Sequence, residues 1–202
     1  MTVCTGNVAR SPAAERLLTA LAWPDVVVSS AGTAAVVGAP IIPPMAGLLA
    51  ADGAPTAGFQ ARQLTADLIK QADLVLAMTP EHRAAVVNLC PTAIKYTFTL
   101  LEFARIAGLT GPALGWPQRG QPEAGGAPAA VADDAVTGPA PSQRLARLMT
   151  VAPAWRPWAR PPAGESDAVP DPYGRADTAF VASYTLIRQA VGQIDWIIRP
   201  RR

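Results

Sequence analysis

Three short apolar runs, each handing over to a turn or a helix-forming stretch, limit what this chain can fold into more than any other feature. Val26-Val27-Val28 leads into Ser29-Ser30-Ala31-Gly32, residues 72–78 read ADLVLAM, and residues 94–98 make a weaker third run. Runs of this length suit strands buried on both faces. Between and around them lie helical patterns at residues 12–21, 44–51, 65–71 and 80–89. Strands alternating with helices predict an α/β fold, a central parallel sheet of about four strands with helices on both faces. Phe180, Tyr184, Ile187, Val191, Ile194 and Ile198 recur at spacings of four and three, which predicts a last helix with that stripe packed on the sheet. Only Met1, Thr2 and Val3 precede Cys4, so the first strand is expected either to be truncated or to begin upstream.

At 202 residues the chain suits one domain, and residues 1–202 are read as a single domain carrying an insertion. The insertion is the stretch at about 108–167, dense in Pro, Gly and Ala, with only residues 143–149 hinting at a helical turn or two. Such composition buries little apolar surface per ordered residue, so the segment is expected to be mobile and dispensable for chemistry. Trp116, Trp155 and Trp158 sit awkwardly with that expectation, because solvated linkers rarely carry tryptophan. No window holds enough consecutive apolar residues for a membrane span, and no signal-like segment precedes Cys4, so a cytoplasmic location with no membrane partner is expected. Net charge is +2, with lysine only at 70 and 95 and no basic stripe, which argues against a nucleic-acid partner. Cys4, Cys90 and the single His82 are too few for a structural zinc site or a disulfide scaffold.

The chemistry concentrates in VCTGNVARSP, residues 3–12. Pro12 suits a first helical position and Ser11 an N-cap, so the loop from Cys4 to Arg10 is expected to curl over a helix N-terminus whose free N–H groups face an anion. Gly6 allows close approach of the backbone, and Asn7 tolerates the left-handed conformation that such a nest requires. Arg10 adds a planar fork for two phosphate oxygens, and the same positive field favours a Cys4 thiolate. A bare Cys-x5-Arg would fit a buried structural cysteine equally well; the full string is much narrower. Near the other end, Asp171 lies between Pro170 and Pro172 and before Tyr173, a stiff setting that suits a proton donor, although an Asp-Pro surface turn reads the same way. His82, at a helix start in TPEHRAAVV, reads as structural or solvated.

VCTGNVARSPAAERLL resembles the opening of the low-molecular-weight protein tyrosine phosphatases. The resemblance continues in SSAGT at 29–33, ARQLT at 61–65, ADLVLAMTPEHR at 72–83 and VPDPYG at 169–174, leaving out only the insertion. It implies that Cys4 is the nucleophile of a phosphocysteine mechanism, that Arg10 holds the phosphoryl oxygens, and that Ser11 supports the thiolate. It also implies that Asn7 and Ser30 maintain the loop, that Thr5, Gly6, Val8 and Ala9 line the substrate phosphate, that Asp171 is the general acid, and that Tyr173 walls the cleft. No metal and no organic cofactor is implied, and the implied partner is a tyrosine-phosphorylated protein; the sequence leaves the oligomeric state open, with a monomer favoured.

Three features depart from the family pattern. The first strand is short, Ala9 stands where many members carry a second cysteine able to protect the nucleophile, and Phe59 stands where several have a loop-supporting histidine. Two other functions remain open at this point. Arsenate reductases share the fold and loop, although thioredoxin-coupled types need two further cysteines and only Cys90 is present. A noncatalytic phosphate- or phosphotyrosine-binding module is the other.

Overall fold

Four parallel strands, in the order β2-β1-β3-β4, form the centre of the computed structural model, which describes residues 1–114 and 139–199. In chain order the elements are β1 (Thr2–Cys4), α1 (Arg10–Ala20), β2 (Ser30–Gly32), α2 (Pro43–Ala51), α3 (Ala66–Lys70), β3 (Val75–Ala77), α4 (Pro80–Leu89), β4 (Thr97–Thr99), α5 (Leu100–Ala113), α6 (Pro141–Trp155) and α7 (Asp177–Ile198). From β1 the chain goes to one side for β2 and comes back on the other for β3. In open α/β sheets ligands lie beyond the strand C-termini at this point of reversal, and the loop after Cys4 starts there.

Side chains alternate across the sheet with the strand period of two. Val3, Ala31 and Val75 join Ile69 of α3 and Val86 of α4 on one face. Cys4, Leu76 and Phe98 turn to the other, where α1, α2, α5 and α7 supply a larger apolar layer. The expected α/β architecture with helices on both faces is the one observed.

Several local expectations are corrected. The strand foreseen at Val26-Val27-Val28 forms at Ser30–Gly32 instead, because the register sets Thr2 opposite Ser30 and leaves the valines without a facing β1 residue; Val27 is 94% exposed. The run at 94–98 likewise contributes only its end to β4, and Ile94 falls in a 3₁₀ turn. Helix α1 starts at Arg10, so Ser11 lies inside its first turn and does not cap it. Helix α7 buries the whole predicted stripe in the apolar layer on the Cys4 face of the sheet, packing chiefly against α5 and α1. Helix α5 was not foreseen, because Gly108, Gly111 and Pro112 mask the three- and four-residue spacing of its buried Phe103, Ala107 and Thr110.

The insertion also differs from the loop-like segment expected. Of its tryptophans, Trp116 lies outside the described residues, Trp155 packs at the edge of the main core, and Trp158 is exposed. Residues 141–155 form a 15-residue helix that begins with a proline in its first turn, where a missing N–H costs nothing. Leu148 and Ala152, one turn apart on α6, are fully buried. Just beyond, Arg156 stacks its guanidinium 4.2 Å over the Phe98 ring, donates to Glu102 Oε1 at 3.0 Å and reaches the Thr97 carbonyl at 2.5 Å. Arg105 of α5 donates to the Ala159 carbonyl at 3.1 Å and is ion-paired with Asp167. Composition hid these contacts because a few apolar residues at helical spacing suffice to anchor one helix. Leu148→Ala is therefore expected to lower unfolding free energy by about 2–5 kcal/mol, the usual cost of a large-to-small change in a filled core. Urea unfolding followed by circular dichroism measures it; a loss below about 0.5 kcal/mol would mean that α6 lies loose on the surface.

Candidate functional site

The loop after β1 acquires its shape from hydrogen bonds on its outer side. The carbonyls of Cys4, Thr5, Gly6 and Val8 accept from the amides of Thr33, Ala34, Val36 and Ile42, at 2.9 to 3.0 Å. In a trans peptide the N–H points opposite to the carbonyl. The amides of Thr5, Gly6, Asn7 and Ala9 are therefore turned inward, toward the N-terminus of α1, whose first-turn amides have no helical acceptor. This is a concave ring of donors fit for an anion.

Two residues make the close packing possible. Asn7 adopts φ 54, the left-handed conformation expected of it. At Gly32 an added Cβ would run into the Thr5 carbonyl oxygen, so only glycine lets this segment lie against the loop. Gly6 has no positive φ, and a Cβ there would meet Val8 and Val36 at ordinary contact distances, so the fold itself does not demand glycine at that position.

Behind the ring a directed chain of hydrogen bonds reaches the sulphur. The Asn7 amide nitrogen donates both protons, to Ser11 Oγ at 3.0 Å and to Ser30 Oγ at 2.8 Å. Ser30 passes its own proton to Glu15 Oε2 at 2.5 Å. Ser11, already accepting, has its proton left to give, and Cys4 Sγ lies 2.9 Å away. Asn7 Oδ1 is held by the Arg62 amide at 2.9 Å. Glu15 and Arg62 were not foreseen in this role; their signal was position, one turn into α1 and in the ARQLT stretch.

Cys4, Thr5, Gly6, Val8, Ala9, Arg10, Asp171 and Tyr173 line one cavity of about 220 Å³, and Val36, which sequence reasoning missed, completes its wall. All eight of the cavity residues named from sequence thus meet, with Ser11, Asn7 and Ser30 directly behind them. Arg10 is buried, donating to Asp171 Oδ2 at 2.6 Å and to the Val169 carbonyl at 3.3 Å. Asp171 is half exposed, and Tyr173 stands largely free at the rim. A larger cavity of about 930 Å³ opens at the opposite ends of the strands, beside Met1, Ser29 and Leu74, and has neither cysteine nor histidine in its lining. Cys90 belongs to the apolar cluster on the other face of the sheet from Cys4.

His82 is buried and touches the loop, more than the structural or solvated role foreseen for it. Thr79 Oγ1 accepts from the His82 amide and lies 3.1 Å from Nδ1, and Thr5 Oγ1 lies 2.8 Å from Nε2, so both ring nitrogens have a hydroxyl partner. Burial, and next the Arg10 guanidinium, pull the His82 pKa down to about 4, against the opposing pull of Asp171 and Glu81.

The comparisons with known proteins accord with this geometry. The family model described as Low molecular weight phosphotyrosine protein phosphatase matches residues 1–110. The chain belongs to this family. The protein-tyrosine-phosphatase Wzb of Salmonella typhi is 41% identical over 91 residues, 45% of this chain and 60% of that protein. The match thus spans about three-fifths of that curated relative. Among solved structures, Wzb of Vibrio vulnificus in complex with benzylphosphonate superposes with a TM-score of 0.59 at 25% identity, covering 95% of this chain and 91% of that one. The YwlE arginine phosphatase of Geobacillus stearothermophilus gives 0.62 at 23% identity, covering 95% and 86%, a likeness of fold.

A pH dependence follows from His82. The unfolded state, with an ordinary imidazole near 6.5, binds a proton before the folded state does. Its contribution to stability is thus present above pH ~6.5 and is lost as pH falls toward about 4. Melting temperature of the wild type should fall between pH 6.5 and 5 more steeply than that of His82→Gln; equal slopes would mean that the ring is not kept neutral.

Proposed function

We propose that this chain is a protein-tyrosine phosphatase that hydrolyses phosphotyrosine and small aryl phosphates through a phosphocysteine. The observation that carries the reading is the meeting of Cys4, Arg10 and Asp171 in one cavity, although Arg10 and Asp171 lie 161 positions apart in the chain. The phosphoryl group takes the ring of amides and the Arg10 fork, and the Cys4 sulphur attacks phosphorus. As the P–O bond breaks, Asp171 gives its proton to the departing phenolate oxygen. Water then loses a proton to the Asp171 carboxylate and attacks phosphorus; the P–S bond breaks and the electron pair returns to sulphur, where the Ser11 hydroxyl stabilises it.

Without substrate, Asp171 occupies the Arg10 fork. A phosphoryl group takes over those N–H donors and frees Asp171, which acts on the leaving oxygen as the protonated carboxyl group. The apolar wall of Val8, Ala9, Val36 and Tyr173 supports a phenyl ring as the leaving group. A guanidinium leaving group would call for acceptors, and Asp171 is the one carboxylate in that lining. The partner is accordingly a tyrosine-phosphorylated protein. A thiolate nucleophile without a neighbouring protective cysteine suits the reducing cytoplasm.

Turnover of p-nitrophenyl phosphate, a phosphotyrosine peptide and a phosphoarginine peptide tests the reading. Activity on the first two is expected, with Cys4→Ser abolishing it while vanadate still binds. Turnover surviving in Cys4→Ser, or preference for phosphoarginine, would overturn it. Asp171→Asn should bind vanadate more tightly than wild type, because a competing anion leaves the fork. It should also slow Cys4 phosphorylation about 10²- to 10⁴-fold for alkyl-substituted phenyl phosphates and far less for nitrophenyl phosphate, the range of general acid catalysis.

A further inference from the structure

The loop that carries Asp171 is short of donors. Pro170 and Pro172 have no N–H, so the peptides preceding each can be anchored only through their carbonyls. Three contacts hold the approach to the acid. The Val169 amide donates to the Met78 carbonyl at 2.8 Å, the Val169 carbonyl accepts from Arg10, and the Pro170 carbonyl accepts from Ser183 Oγ. Among the described residues the last bond is the one made by the peptide that joins Pro170 to Asp171, while the carboxylate beyond it is met by Arg10 and by the Tyr173 amide, 3.2 Å from Oδ1. The proline ring sets φ of Pro170 but leaves ψ open, and ψ decides where the Asp171 side chain starts from.

Ser183 is an unexpected residue at its position. It lies on α7 three residues after Phe180 and next to Tyr184, within the buried apolar stripe, and it is itself wholly buried. A hydroxyl there costs free energy unless it is hydrogen-bonded, and in a helix interior serine ordinarily turns back to its own helix. Here it reaches out of α7 to the acid loop. We propose that Ser183 is a positioning residue that sets the orientation of Asp171 for proton transfer by holding the Pro170 carbonyl. This rests on the reading of Asp171 as the general acid.

Single-turnover phosphorylation of Cys4 by 4-methylphenyl and 4-nitrophenyl phosphate, measured on the same sample, gives a rate ratio from which any loss of folded fraction cancels. Wild type, Ser183→Ala, Asp171→Asn and the double variant form a cycle. Ser183→Ala is expected to lower the ratio about tenfold, a part of the 10²- to 10⁴-fold worth of the acid itself, with vanadate affinity unchanged. In the Asp171→Asn background the same substitution should leave the ratio as it is. If Asp171→Asn lowers the ratio and Ser183→Ala does not, Ser183 does not position the acid. If Ser183→Ala lowers it equally in both backgrounds, it acts by another route and the proposal fails. A ratio untouched by Asp171→Asn would instead overturn the assignment of the acid, and this inference with it.

Discussion

The cradle depends on where its carbonyls go. Four of them, from Cys4, Thr5, Gly6 and Val8, are taken up by the segment running from Thr33 to Ile42. Planar trans peptides then leave the amides no direction but inward. Every other part of the site presupposes this one arrangement. Strand β2 must lie beside β1 for the acceptor segment to start in the right place, and Gly32 must lack a Cβ for that segment to lie against the loop. Asn7 must turn left-handed for the chain to enter α1 with its first amides free. The absence of a side-chain cap on α1 makes sense in this light: a cap would occupy donors that an anion needs.

The loop of Asp171, the proposed acid, is held by the opposite logic. Its prolines remove donors, so the approach to Asp171 is anchored through the Val169 and Pro170 carbonyls and the Val169 amide, and the anchors come from three elements: the end of β3, the start of α1 and the first half of α7. Arg105 and Asp167 extend this attachment to α5 and to the segment after α6. Arg10 belongs to both constructions, since one guanidinium faces the cradle and grips the acid loop. In the proposed mechanism, binding of a phosphoryl group and release of Asp171 are therefore one exchange of hydrogen bonds.

Much of this was legible in the sequence. Alternating strand and helix patterns led to the parallel sheet, and the string from Cys4 to Pro12, with Asp171 and Tyr173, named the residues that line the cavity. What stayed hidden has identifiable causes. Apolarity marked Val26-Val27-Val28 as a strand, but a strand exists only where a neighbour faces it, and register is a tertiary property. Glycine and proline obscured α5, and the composition of the insertion obscured α6, because packing of a few well-spaced residues overrides weak local propensity. Ser183 left a legible trace, a hydroxyl inside an apolar stripe, although its partner is 13 residues away in the chain and only the fold brings them together.

Phe59 illustrates how a local departure is absorbed. Where several relatives have a histidine supporting the loop, this chain has a buried phenyl ring under the Arg16 guanidinium, 5.4 Å from its centroid. Behind the loop, polar support comes from Asn7, through Ser11, Ser30 and the Arg62 amide. Because Asn7 donates in both directions, the two serine protons point away from it, one to the Cys4 sulphur and one to the Glu15 carboxylate. The imidazole that does touch the loop, His82, is kept neutral down to about pH 4. A phosphate monoester loses its second proton near pH ~6. Between pH 5 and 7 a phosphate monoester therefore changes charge while the imidazole at the loop stays neutral.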